Sequence, residues 1–260
     1  MTLTAILVVL TAVLLQPAAP AATVVRRYPA PEAGQAVAVD ATHFYAITNA
    51  KIAKYEKATG KRVAEWAEAP NGPIKHLNSG LIVDGRLYAA HSNYPETPMV
   101  SSIEIFDTTT LAHVGSHSFG FGRGSATWIE TRDGAWWVAF ANYAGKGGEP
   151  GRGPEYSVLV RYDREWREQE SWAFPAAVIA RWDGMSISGG LCGRDGLLYT
   201  SGHHSTELYV LGVPKSGAVL DLVRIVPFES EGQGIAVDRE TGLLWSIQRK
   251  TREVLVSKLP

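Results

Sequence analysis

Five times along the chain, a small or polar residue opens a short apolar run, an acidic or glycine turn closes it, and a second apolar run begins with an aromatic second residue. The first runs are Gln35–Asp40, Ser79–Asp84, Ser125–Glu130, Gly189–Asp195 and Gln233–Asp238, and the aromatic positions form a column of Tyr45, Tyr88, Trp137, Tyr199 and Trp245. Short runs bounded by turn residues are the pattern of strands. Their recurrence at roughly 45 residues, with no sustained helical periodicity, is the pattern of propeller blades. The chain length of 260 residues accommodates five four-stranded blades but not seven, so the expected fold is an all-β, five-bladed β-propeller.

Within this frame the predicted strands are 35–39, 43–48, 51–55 and 61–66 for blade one, and 80–83, 86–91, 102–106 and 113–119 for blade two. Blade three takes 126–130, 135–142, 156–162 and 167–174; blade four takes 190–193, 197–201, 207–211 and 219–227. Asp84-Gly85, Asp133-Gly134 and Asp195-Gly196 are strong hairpin signals. Blade five offers only 234–237, 243–248 and 253–257. The unassigned run Thr23–Tyr28 can supply its fourth strand, closing the ring and removing two open sheet edges.

The first 21 residues carry an apolar run, Ala5–Leu15, followed by Ala19-Pro20-Ala21, which fits the small-x-small cleavage rule. The run is too short to span a bilayer. Residues 1–21 are therefore read as a signal peptide and 22–260 as a single propeller domain, secreted or periplasmic, monomeric, and without a membrane association once cleaved. Lys and Arg number 25 against 26 Asp and Glu, interspersed along the chain, which argues against nucleic acid as a partner. The single cysteine, Cys192, excludes an intrachain disulfide and sits in a predicted inner strand as a buried structural thiol.

Loop length separates the two faces of the ring. Ala67–His76, Ser92–Val100, Phe119–Arg123, Tyr143–Glu155 and Pro175–Ser188 all reach one face, where binding residues concentrate. The polar residues expected to converge there are His76, Asn78, His91, Asn93, Tyr94, Asn142, Tyr143, His203, Gln233, Gln248 and Arg249. Three readings of this set stand side by side. In one, His91 or His203 is a general base, Tyr94 or Tyr143 gives a proton, and Arg249 holds a substrate carboxylate, as a cofactor-free isomerase, cyclase or lyase requires. In another, His76, His91 and His203 ligate a divalent metal such as zinc for a hydrolase or lyase. In the third the funnel only binds, taking a glycan or peptide. Among acids, Glu32, Glu96, Glu130 and Glu231 are candidates for paired carboxylate chemistry, with Glu231 the first to consider for catalysis. The ligand is expected to be a small polar or anionic molecule, with a saccharide among the options. Of the eight tryptophans, Trp128, Trp136 and Trp182 could stack on a sugar, while the others fit packing positions. There is no Gly-x-Ser-x-Gly elbow, phosphate loop or dinucleotide fingerprint.

The phrases His76-Leu-Asn-Ser-Gly80, His91-Ser-Asn-Tyr-Pro-Glu96, Gly202-His203, Gly232-Gln-Gly-Ile-Ala-Val-Asp-Arg239 and Arg249-Lys-Thr-Arg-Glu-Val-Leu-Val256 resemble a group of secreted bacterial propeller proteins often named cycloisomerases. The name belongs to lactonising propellers of seven blades, so no catalytic residue carries over by position. More distantly, length and the segment Glu231-Gly-Gln-Gly234 resemble the five-bladed glutaminyl cyclotransferases, although the acidic Asn-Glu type motif of that family's site has no counterpart here. Both resemblances imply intramolecular ring closure without a redox cofactor.

Overall fold

The computed structural model describes residues 20–260, so nearly all of the leader predicted over residues 1–21 lies outside the described part. Five antiparallel sheets stand in a ring, as expected of a five-bladed β-propeller. Blade one is Ala36–Val39, His43–Thr48, Lys51–Glu56 and Arg62–Ala67. Blade two is Leu81–Val83, Arg86–Ser92, Val100–Asp107 and His113–Phe121. Blade three is Ser125–Arg132, Ala135–Ala141, Val158–Tyr162 and Glu168–Ala173. Blade four is Gly189–Cys192, Leu198–Ser201, Glu207–Gly212 and Asp221–Pro227.

Blade five is Ala236–Val237, Leu244–Gln248 and Glu253–Lys258, completed from the other end of the chain by Thr23–Pro29, which pairs antiparallel with Glu253–Lys258. The N-terminal strand therefore closes the ring as its apolar run predicts, and Ala22 N donates to Pro227 O at 2.8 Å, fastening it to blade four as well. The seam between blades one and five is aromatic. Tyr28 stacks on Trp245 with centroids 5.6 Å apart and packs on Phe44 at 4.7 Å, while Lys57 bonds Asp238 at 2.8 Å beside them.

The middle strands are buried on both sheet faces because blades stack on one another, which is why a stretch such as Ala-Trp-Trp-Val-Ala-Phe-Ala is apolar throughout. Outer strands face water on one side and carry polar residues there, as in Thr23–Pro29. The recurring acidic turn also has a local cause. Asp40 accepts the backbone N–H groups of Thr42 and His43 through Oδ1 and the Tyr45 hydroxyl through Oδ2 at 2.7 Å. Asp195 repeats this with Leu197 N and the Tyr199 hydroxyl. The acid thus shapes the turn and anchors the aromatic residue of the next strand.

With only five blades, the inner strands crowd the axis. A Cβ on Gly234 would lie 2.4 Å from Ala36 Cβ and 2.8 Å from Asn78 O, so three blades meet where only glycine fits. Below this level the axis narrows to a cavity of about 30 Å³, and buried Glu130 pairs with Arg239 across blades three and five at 2.5 Å. Burial raises the Glu130 carboxyl above the usual carboxylate range, with Arg239 opposing the shift. The central space is therefore widest at the face that carries the long loops and narrows below it.

Several local expectations needed correction. The loop before Leu81 contributes a two-residue strand, His76–Leu77, that pairs with the end of Arg86–Ser92, and Ala176–Ile179 forms one helical turn in a segment read as loop. Trp128, Trp136 and Trp182 are buried core residues, so none offers a sugar-stacking face. Cys192 is buried as expected, and burial pushes its thiol up to about 12. Among the described residues no helix is long and apolar enough to cross a membrane.

Candidate functional site

The funnel mouth holds a cavity of about 310 Å³, at the lower end of the range of small-molecule sites. Its polar rim follows from the repeat. The residues that open the inner strands are Gln35, Ser125 and Gln233, with Asn78 and Ser188 just before the inner strands of blades two and four; all but Ser125 line the cavity. Gln233 adopts a left-handed backbone at φ 74°, a conformation unusual outside glycine, and donates through Nε2 to His203 O at 3.0 Å. Asn78 gives its amide nitrogen to Ala126 O at 2.8 Å, tying blade two to blade three. Gln35 donates to Asn49 Oδ1 at 2.8 Å.

Above this ring stand His76, His203, Arg249, Lys146, Tyr94 and Tyr143. The Tyr94 ring lies 5.0 Å from the His76 ring and 5.2 Å from Tyr143, edge to face, forming one wall. Burial raises the hydroxyl pKa of both tyrosines, so both stay protonated at neutral pH. His203 Nδ1 sits 3.0 Å from the ring nitrogens of His204 because Gly202–Ser205 is a turn; a continued strand would have sent the two side chains apart. Only His203 of the pair lines the cavity.

Burial holds both funnel histidines neutral. His76 is lowered to about 4 by burial, then by His91 and Arg249; His203 is lowered to about 3 by burial, then by His204, Arg249 and His76. Arg249 and Lys146 make no ion pair among the described residues, and no carboxylate lines the cavity. The site is thus a cationic, donor-rich space with two unprotonated imidazoles.

Seven of the residues expected to converge do so: His76, Asn78, Tyr94, Tyr143, His203, Gln233 and Arg249. The others do not. His91 lines a separate cavity between blades one and two; its Nε2 accepts Lys75 N–H at 3.0 Å and its Nδ1 bonds Ser102 Oγ at 2.9 Å. With both nitrogens engaged it can serve neither as the funnel base nor as the third ligand of a metal held with His76 and His203. Among the described residues no group of three His, Cys, Asp or Glu has metal-holding geometry.

Asn93 staples its own loop through Pro98 O and Val100 N, Asn142 donates to Arg123 O and Tyr156 O behind the wall, and Gln248 reaches Glu229 O at 3.4 Å. Glu231, the candidate catalytic acid, pairs with Lys250 at 2.5 Å away from the cavity. Glu32 bonds Tyr55 and Arg62, Glu96 pairs with Lys75 and Glu130 with Arg239, and none of the four candidate acids lines the funnel cavity. Asn49 also lines the funnel, as its blade position, equivalent to those of His203 and Arg249, predicts; the funnel residues not anticipated as binders are Gln35, Pro95, Lys146, Met185 and Ser188. The repeat signalled Gln35, which opens blade one at the position Gln233 holds in blade five. Nothing local in the sequence marked Lys146 or Met185, which arrive on long loops.

No protein-family model matches the chain, and no curated protein matches it. Among solved structures, the chain is similar to the Myxococcus xanthus glutaminyl cyclase, at 12% identity and a TM-score of 0.62, over 92% of this chain and 98% of that one. What they share is the fold. A Bacteroides caccae protein of unknown function aligns at 14% identity and a TM-score of 0.45, over 78% of this chain and 64% of that one.

Proposed function

We propose that the funnel binds a small polar anion and that His203, with His76 beside it, moves a proton on the bound molecule in an isomerisation, ring closure or elimination, in an exported protein. The observation that carries this reading is the pair of neutral imidazoles beside unpaired Arg249 in a cavity free of carboxylates. Arg249 is suited to hold a carboxylate through two parallel hydrogen bonds. Tyr94 or Tyr143, on the wall beside His76, is the proton donor. An imidazole at about 3 or 4 is a weak base in the empty site. A bound anion opposes the depression that Arg249 imposes on both rings, so the substrate strengthens its own base. The fold shared with a protein described as a glutaminyl cyclase supports including ring closure among the reactions tested.

The same low basicity favours a second reading, in which the funnel recognises an anion without turning it over. A panel of hydroxy-acids, uronates, lactones and glutaminyl peptides, followed by nuclear magnetic resonance, separates the two. With a turned-over substrate, His203→Gln is expected to lower kcat by roughly a hundredfold or more, the usual worth of a positioned base, while Arg249→Gln acts mainly on KM. Binding of an anion with no turnover across the panel would select recognition, and a substrate processed equally by parent and His203→Gln would remove the histidine from the reaction.

A further inference from the structure

Arg249 belongs to two spaces at once. With Gln35 and Asn49 it lines the funnel cavity, and the same three residues form one bank of an open groove of about 530 Å³ that runs outward over blade one. Farther along the groove stand Arg252 and Lys51. The Arg252 guanidinium lies over Gly34, where a Cβ would come within 2.8 Å of Nη1, and it makes no ion pair among the described residues. Lys51 is only loosely held, 3.8 Å from Glu65, and half exposed. The groove's one acid, Glu68, is already engaged, its two oxygens accepting Ala69 N and Ile74 N. Arg249, Arg252 and Lys51 thus give the groove three cationic groups, the first shared with the funnel mouth, so the 310 Å³ cavity and the groove adjoin as one longer site.

Resting on the anion-binding reading of the funnel, we infer that the natural ligand is an acidic oligosaccharide of the uronate type, with one carboxylate at Arg249 in the funnel and the next along the groove at Arg252 and Lys51. Peptides are recognised by pairing along a free strand edge, by apolar pockets for alternate side chains, or, when acidic, by arginine clusters, and a tetraglutamate ligand separates the last from a saccharide. This groove crosses the turn between His43–Thr48 and Lys51–Glu56, two strands each paired on both sides, and apart from Glu68 the side chains on its walls are amide, hydroxyl, cation or small. Carboxamides such as Gln35 and Asn49 offer both a donor and an acceptor, which suits sugar hydroxyls.

The test compares galacturonate, tetragalacturonate and a tetraglutamate peptide by calorimetry on the full mature chain, with Arg252→Asn and Lys51→Gln variants. Asn suits the left-handed backbone at position 252, φ 56°, so the fold tolerates the change. The tetramer is expected to bind roughly tenfold tighter than the monomer, the worth of one or two exposed ion pairs, and to lose most of that gain in either variant while the monomer is unaffected. Monomer binding without a gain for the tetramer, or a gain that survives both variants, overturns the groove and leaves the funnel reading intact. A gain shown by tetraglutamate alone overturns the saccharide assignment. Failure of all three ligands overturns the groove together with the anion-binding reading.

Discussion

His76 and His203 differ from the chain's other histidines in what surrounds them, not in local sequence. Both rings are partly buried, and Arg249 repels a proton on either one. Their folded-state pKa values lie below the unfolded value of 6.5. The stability they contribute is therefore present above pH 6.5 and is lost as pH falls through about 4 and about 3. The melting temperature of the parent is expected to drop over this acid range more steeply than that of a His76→Gln, His203→Gln double variant. Parallel curves would show that the two rings titrate normally. For a turned-over substrate, the acid limb of kcat/KM should fall near pH 4 or below, since the free protein keeps its base unprotonated down to that point. A limb at pH 6.5 would contradict the burial argument.

The elements show which physical signals survive in a sequence. The hairpin acids, the aromatic column and the closing strand Thr23–Pro29 were legible because each has a local cause: a carboxylate that shapes its turn, a ring that packs at a fixed blade position, a run with no other partner. Side-chain direction at the loop ends was not. His91 and His76 lie on paired strands of one sheet, Leu77 opposite His91 and His76 opposite Ser92, so the two histidines face different spaces and only His76 enters the funnel. A short strand in a presumed loop decided this, and two residues carry too little pattern to be seen. The closing strand also makes a prediction. Tyr28→Ala removes a ring stacked on Trp245 and packed against Phe44, and a hydroxyl donated to Lys57 O. The expected cost is about 3 kcal/mol, comparable to other large aromatic truncations, or roughly 6 to 12 °C in Tm for a domain of this size. Deleting residues 23–28 should unfold the ring cooperatively, as read by the loss of a single melting transition. A Tm within about 2 °C of the parent for both changes would show that the seam does not hold the ring.

At the scale of the molecule, five blades leave little free axis, and Gly234 of blade five meets Ala36 of blade one and Asn78 of blade two too closely for any side chain. The two ends of that axis are electrostatically opposed in design: the floor locks a buried carboxylate to Arg239, and the mouth keeps Arg249 unpaired beside two neutral imidazoles. An anion entering the mouth meets a positive field with no competing carboxylate, and its charge draws protons onto His76 and His203. Titrating galacturonate into the protein by calorimetry at pH 5, in two buffers of different ionisation enthalpy, measures that coupling directly. The account predicts binding with net proton uptake, abolished by the His76→Gln, His203→Gln pair. Binding with no proton uptake, or uptake that persists in the double variant, would contradict it.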